Sequence, residues 1–236
     1  MTEIIPAIMP TDWLDLVAKA QRVSASGALW AQIDIMDGVF VPSRSWPYEE
    51  TENFSVERKG EVLKNLGQLP EKHTLQYEID LMTCDADEHY SVWLALDAQR
   101  YFFHWEALKN PETFFLSELV VNSRKSGIEI GIAIGAGFDP CLIFPFLSIV
   151  DCVQVMGIDK IGYQGQPFDV RSLSVLRKIR AENPHIPLSV DGAVSNITAP
   201  QYVASGANRL TSGSTLFQAD DMAQKIEELQ KNADSN

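Results

Sequence analysis

Apolar positions along the chain recur in two different periods, and the two alternate. Short runs with period two, or continuously apolar, occupy residues 4–9, 30–36, 75–82, 101–104, 128–134, 149–156, 186–190 and 208–212, and these predict eight strands. Between them apolar residues fall at helical spacing. Trp13, Leu16, Val17 and Ala20 predict a helix capped by Thr11 or Asp12 and ended by Gly27, and Val62, Leu63, Leu66 and Leu69 predict a second. Further helices are expected from Asp85 or Asp87 to Leu96, over 111–126 with Gly127 beyond, from Pro140, and over 168–181, 198–205 and 219–229. The polar stretch 42–55 is longer than a common connection and reads as a loop of the kind used as a lid. No change of composition divides the chain, so 1–236 reads as one domain. Strand–helix alternation repeated about eight times predicts parallel βαβ units closing into a (β/α)8 TIM barrel. An open doubly wound sheet is the alternative, but no Gly-x-Gly-x-x-Gly follows the first strand.

The polar residues that interrupt this pattern carry the chemistry. Gln32 and Asp34 share one face of the second strand, because side chains alternate with period two. A buried carboxylate must be paired, hydrogen-bonded or bound to metal. In a barrel the C-terminal strand ends converge on one site, and Asp34, Asp80, His104 and Asp191 all fall there. Read without further context, Asp34 and Asp191 could be structural carboxylates, and His104 reads as a hydrogen-bonded structural histidine. Arg44, Trp46 and Tyr48 in the long loop either close over a ligand or pack the loop down.

Charge and cysteine usage narrow the partners. With 32 acidic and 19 basic residues the formal net charge is −13, which disfavours nucleic acid and anionic membrane. A small anion remains possible, because backbone N–H groups can bind phosphate locally. Cys84, Cys141 and Cys152 are three, widely spaced, with no C-x-x-C, as in a reduced, cytoplasmic protein. No signal peptide or membrane span is expected from the apolar runs.

Several motifs, in order along the chain, resemble the ribulose-phosphate 3-epimerase family. Asp34-Ile35-Met36-Asp37-Gly38 with Phe40-Val41-Pro42 resembles its second strand, His-x-Asp-x-Met-Asp-Gly and then Phe-Val-Pro. Asp80-Leu81-Met82 stands where His-Leu-Met is usual. Phe103-His104-Trp105-Glu106-Ala107 resembles Phe-His-x-Glu-Ala, and Met156 with Gly162-Tyr163-Gln164-Gly165-Gln166 resembles the sixth unit, with one extra residue and no Pro. Val190-Asp191-Gly192-Ala193-Val194 and Gly213-Ser214-Thr215-Leu216-Phe217 resemble the last two. The resemblance implies a ribulose-phosphate-binding barrel that interconverts D-ribulose 5-phosphate and D-xylulose 5-phosphate, or a close analogue. One carboxylate removes the C3 proton and another returns it from the opposite face, through an enediolate. The implied acid–base pair is Asp34 and Asp191. Gly162, Gly165, Gln166, Gly192, Gly213 and Ser214 would hold the phosphorylated ketose, Met36, Met82 and Met156 would line its apolar side, and a homo-oligomer is implied.

The chain also departs from the family. The family's metal ligands are His, Asp, His and Asp, and the matching positions here are Gln32, Asp34, Asp80 and Asp191. Such an all-oxygen site would favour Mg²⁺ or Mn²⁺ over Zn²⁺; Lys160 is a candidate counter-charge in place of metal, but reads first as a solvated loop lysine. Ala7 and Pro10 replace two serines of the family's first strand, and Gly135-Ala136 replaces Asn-Pro. A phosphosugar-binding protein of the same fold without epimerase activity is therefore the alternative. The Asp-x-Lys-x-x-Asp signature of related decarboxylases is absent.

Overall fold

A computed structural model of the chain describes residues 2–48, 68–84 and 86–235. Eight parallel strands close into a barrel in sequence order. They are β1 (Glu3–Ile8), β2 (Trp30–Met36), β3 (Gln76–Met82), β4 (Arg100–His104), β5 (Glu129–Ile134), β6 (Cys152–Met156), β7 (Leu188–Asp191) and β8 (Arg209–Ser212). The described helices are α1 (Trp13–Ala25), α2 (Tyr90–Leu94), α3 (Pro111–Phe115), α4 (Glu118–Lys125), α5 (Arg171–Glu182), α6 (Ala199–Ala204), α7 (Ser214–Phe217) and α8 (Met222–Ala233).

Alternation along each strand sorts side chains between two environments. Ile33, Ile35, Ile79, Leu81, Tyr101, Phe103, Val153, Val155, Leu188 and Val190 belong to the main apolar core that the helices cover. Each such side chain, fully buried, stabilises by roughly 1.5–3 kcal/mol. The alternate positions face the lumen, and there the second, third and sixth strands carry Gln32, Asp34, Glu78, Asp80 and Gln154. Space in the lumen is made by Gly131. A Cβ there would come within 2.5 Å of the Phe102 ring and 2.7 Å of Cys152 Sγ.

Several boundaries differ from the expectation, each for a local reason. The helix expected over 111–126 is two helices, because Ser117 caps a new one by accepting from the Val120 N–H. The helix expected from 168 starts at Arg171, whose N–H is bonded to the Asp169 carboxylate at 2.9 Å. Of Thr11 and Asp12, Asp12 is the cap of α1. The last helix continues past Leu229 because Ala233 is itself fully buried. The loop 42–55 and the helix expected around Val62, Leu63 and Leu66 lie largely outside the described residues. Leu69, from the same pattern, is buried in the core.

Candidate active site

Register brings the acidic residues together. The pairing of β2 with β3 sets Gln32 opposite Glu78, Asp34 opposite Asp80 and Met36 opposite Met82. Like charges directly opposite on neighbouring strands repel, so this pairing needs compensation. The end of β2 is locked by Ser45, whose hydroxyl donates to the Asp34 carbonyl at 2.7 Å and accepts from the Met36 N–H at 2.9 Å. Asp37, the second acid of that motif, faces away from the cluster. Its carboxylate accepts from the N–H groups of Val39 at 2.8 Å, Phe40 at 2.9 Å and Cys84 at 2.8 Å, tying two loops together.

Asp34, Asp80 and Asp191 each present a carboxylate oxygen within 4.8 Å of the others. The Gln32 amide nitrogen donates to Asp34 Oδ1 at 2.8 Å and to Asp191 Oδ2 at 3.0 Å. Asp80 is held separately, by His104 Nε2 at 2.9 Å on one oxygen and Gln154 Nε2 at 3.1 Å on the other. His104 thus has the structural role expected of it. Lys160 lies instead at the rim of a neighbouring cavity of about 710 Å³, with Glu106, Asp159 and Tyr163. Amide donors and an imidazole, not Lys160, meet the carboxylates, and Lys160 is the solvated loop lysine its position suggests. Gln154 was not singled out from the sequence, although a lone polar residue between Val153 and Val155 is the signal of a lumen-facing position.

Burial pushes the Asp191 carboxyl up to about 7, with Asp80 adding to the effect. Burial, then Asp191 and Asp80, hold Asp34 well above the usual carboxylate range. Burial opposes the His104 imidazolium, but Asp80 beside it outweighs this and raises its pKa. All three shifts act on stability in the same direction. Between the unfolded carboxylate value and about 7, the folded chain keeps an Asp191 proton that the unfolded chain has released. That stability is lost as pH rises through 7. With chelator present, melting temperature should fall by several degrees from pH 5 to pH 8, on the order of a few kcal/mol. Thermal melts of Asp191→Asn should show a flatter slope, and an unchanged slope would assign the effect elsewhere.

The cluster suits a hard divalent ion. Its donors are oxygens, each ionised carboxylate offers about four lone-pair sites, and the buried Gln32 Oε1 has no hydrogen-bond partner. A half-turn of that amide would add a fourth oxygen.

Above the cluster opens a narrow cleft of about 50 Å³. Asp34, Asp191, Met82, Met156, Gly162, Gly165, Gln166, Gly192, Gly213 and Ser214 all line it. Gln32 and Asp80 lie fully buried beneath. Met36 is packed behind the wall with Val41 and Met82. Ala7 lines the cleft where the family carries serine, and the Pro10 carbonyl accepts from the Trp46 N–H at 2.9 Å. Trp46 and Tyr48 pack into the core rather than over the mouth. Gly192 has φ +97°, a conformation that turns the chain sharply after Asp191 and that side chains disfavour. Gln164 also belongs to the wall, its amide lying against Gly213.

A closed parallel barrel with a carboxylate cluster on its floor and glycine loops beside it places the chain among the (β/α)8 barrel enzymes. The chain belongs to the ribulose-phosphate 3 epimerase family, whose profile matches residues 3–217. It is 29% identical over 220 residues to a ribulose-phosphate 3-epimerase of Candida glabrata, covering 92% of this chain and 87% of that one. It is 26% identical to the cytoplasmic isoform of ribulose-phosphate 3-epimerase of Oryza sativa subsp. japonica, covering 99% and 95%. Among solved structures it is similar to 3-keto-L-gulonate-6-phosphate decarboxylase from Vibrio cholerae, with a TM-score of 0.63 at 14% identity, covering 99% and 97%. It is also similar to a 3-hexulose-6-phosphate synthase, with a TM-score of 0.62 at 16% identity, covering 98% and 99%. Those two likenesses concern the fold alone.

Proposed function

We propose that the chain is a ribulose-phosphate 3-epimerase, an isomerase that interconverts D-ribulose 5-phosphate and D-xylulose 5-phosphate at C3. The observation that carries this is the pair Asp34 and Asp191, from strands on two sides of the cleft, joined through one amide nitrogen at 2.8 and 3.0 Å. Inverting a carbon by proton transfer needs two groups that act from opposite faces. Asp34 and Asp191 alternate as base and acid, and their raised pKa values let one keep a proton while the other accepts one at neutral pH. The phosphate rests on backbone N–H groups around Gly162, Gly165, Gly192, Gly213 and Ser214, with Gln166 beside them. Met82 and Met156 form the apolar wall, and Met36 supports it from behind.

Asp34, Asp80, Asp191 and the Gln32 oxygen are the residues that would hold a divalent ion. When bound, Mg²⁺ or Mn²⁺, favoured over Zn²⁺ by the donor set, supplies charge stabilisation for the developing enediolate oxygen. The relative named as a cytoplasmic isoform supports a cytoplasmic location, and no helix among the described residues is long and apolar enough to cross a membrane. A homo-oligomer is proposed on the family resemblance.

The test is incubation with D-ribulose 5-phosphate in chelator and in separate Mg²⁺, Mn²⁺ and Zn²⁺ buffers. D-xylulose 5-phosphate should accumulate to equilibrium in at least one divalent buffer. Binding of the sugar phosphate without conversion in any buffer would leave a phosphosugar-binding protein instead.

A further inference from the structure

We infer that the Gln32 side-chain amide is a two-position toggle: its N–H groups hold Asp34 and Asp191 together when no cation is present, and its oxygen turns to the cluster when a divalent ion enters. The inference rests on the proposed use of this cluster by an epimerase and concerns how the carboxylates are held.

Three observations support it. Gln32 Nε2 serves both carboxylates at once, at 2.8 and 3.0 Å. The oxygen on the same group is buried with no hydrogen-bond partner, and a buried unpaired acceptor is a free-energy liability in that position. Asp80 does not need Gln32, since His104 and Gln154 occupy it at 2.9 and 3.1 Å. The cluster is therefore compensated by neutral donors in one setting of the amide and is complete as an oxygen cage in the other. An imidazole at position 32 could not do both. It would offer one lone pair to an ion or one N–H to one carboxylate, whereas a primary amide carries two donors and an acceptor on a single rotor. The consequence is an ion that exchanges readily, because the cluster retains partners when it leaves.

Side-chain amide NMR of the full chain, labelled with ¹⁵N, reads the toggle directly. In chelator a pair of downfield Nε2–H resonances should appear that is missing from Gln32→Leu, or from Gln32→Glu if the leucine variant does not fold. Titration with Mg²⁺, its binding followed by calorimetry, should remove their downfield shift as the donors leave the carboxylates. In chelator the Gln32→Leu protein should also melt about 5 °C or more below wild type, because two hydrogen bonds to the buried acid pair are lost. Two results would overturn the toggle: resonances unmoved at saturating Mg²⁺, or no dication binding at millimolar concentration. None of these readouts involves a ketose phosphate. A working toggle in a chain that converts no substrate would sink the epimerase reading alone, and a working epimerase with a static amide would sink only the toggle.

Discussion

Asp34→Asn and Asp191→Asn should each lower kcat for ketose-phosphate epimerisation by about 10³-fold, within the range typical of losing a positioned acid or base. Asparagine keeps the shape of the side chain and can still accept a hydrogen bond from Gln32, so the loss reports proton transfer rather than collapse. The two variants should differ in a second measurement. In D₂O each retains one carboxylate, facing one side of the sugar. Each should therefore exchange the C3 proton of one epimer into solvent while failing to form the other, and the two variants should prefer opposite epimers. Both should also be more stable than wild type at pH 8, because one of the mutually repelling buried carboxylates has been neutralised. A kcat within tenfold of wild type in either variant, or exchange of both epimers by one variant, would rule out the assigned pair.

Arg100→Met should be the most destabilising single change in the lumen. Arg100 is 1% exposed and its guanidinium is bonded to Glu78, which is fully buried. The same group reaches Glu129 Oε2 at 2.6 Å and lies 4.1 Å from the centre of the Trp30 ring. Burial already pushes Glu78 upward, and Arg100 is the first group to oppose that. Removing the guanidinium leaves a buried carboxylate without its partner, which costs about 3–5 kcal/mol. For a chain of this size the melting temperature should fall by roughly 10 °C. The double variant Glu78→Leu/Arg100→Met should recover at least half of the loss, since exchanging a whole buried pair for apolar groups is often neutral. Denaturant titrations of the two proteins check this. A double variant as unstable as the single one would show that packing of the arginine, not the pairing, is what matters.

How far the sequence could be read depends on how local the signal is. β2 was placed to the residue, because Ile33 and Ile35 alternate with Gln32 and Asp34 over its whole length. β6 was drawn three residues too early. Ile149 and Val150 are apolar because they pack into the core just before the strand, not because they pair in it. α2 is only five residues, where a helix reaching back to Asp85 or Asp87 was expected. Its caps could not be told from loop acids by sequence alone. The site shows the same division. Asp34, Asp80, Asp191 and Gln32 were legible through their motifs and through alternation. The partners of Asp80 were not, because His104 and Gln154 come from strands 24 and 74 residues further along. Lys160 is exposed beside a different cavity, in keeping with its reading as a solvated loop lysine.

The register that sets Asp34 against Asp80 also bears on the order of folding. An early intermediate in which parallel β2 and β3 have paired would carry two facing carboxylates and, among its described residues, one side-chain donor to them, Gln32. The other donors arrive with β4 and β6, and the third carboxylate comes last, with β7. Half-barrels are thereby electrostatically frustrated at the very point where their strands would be most exposed, which penalises partial structures relative to the closed ring. The cluster proposed to serve chemistry in the finished protein would thus also sharpen the cooperativity of its assembly.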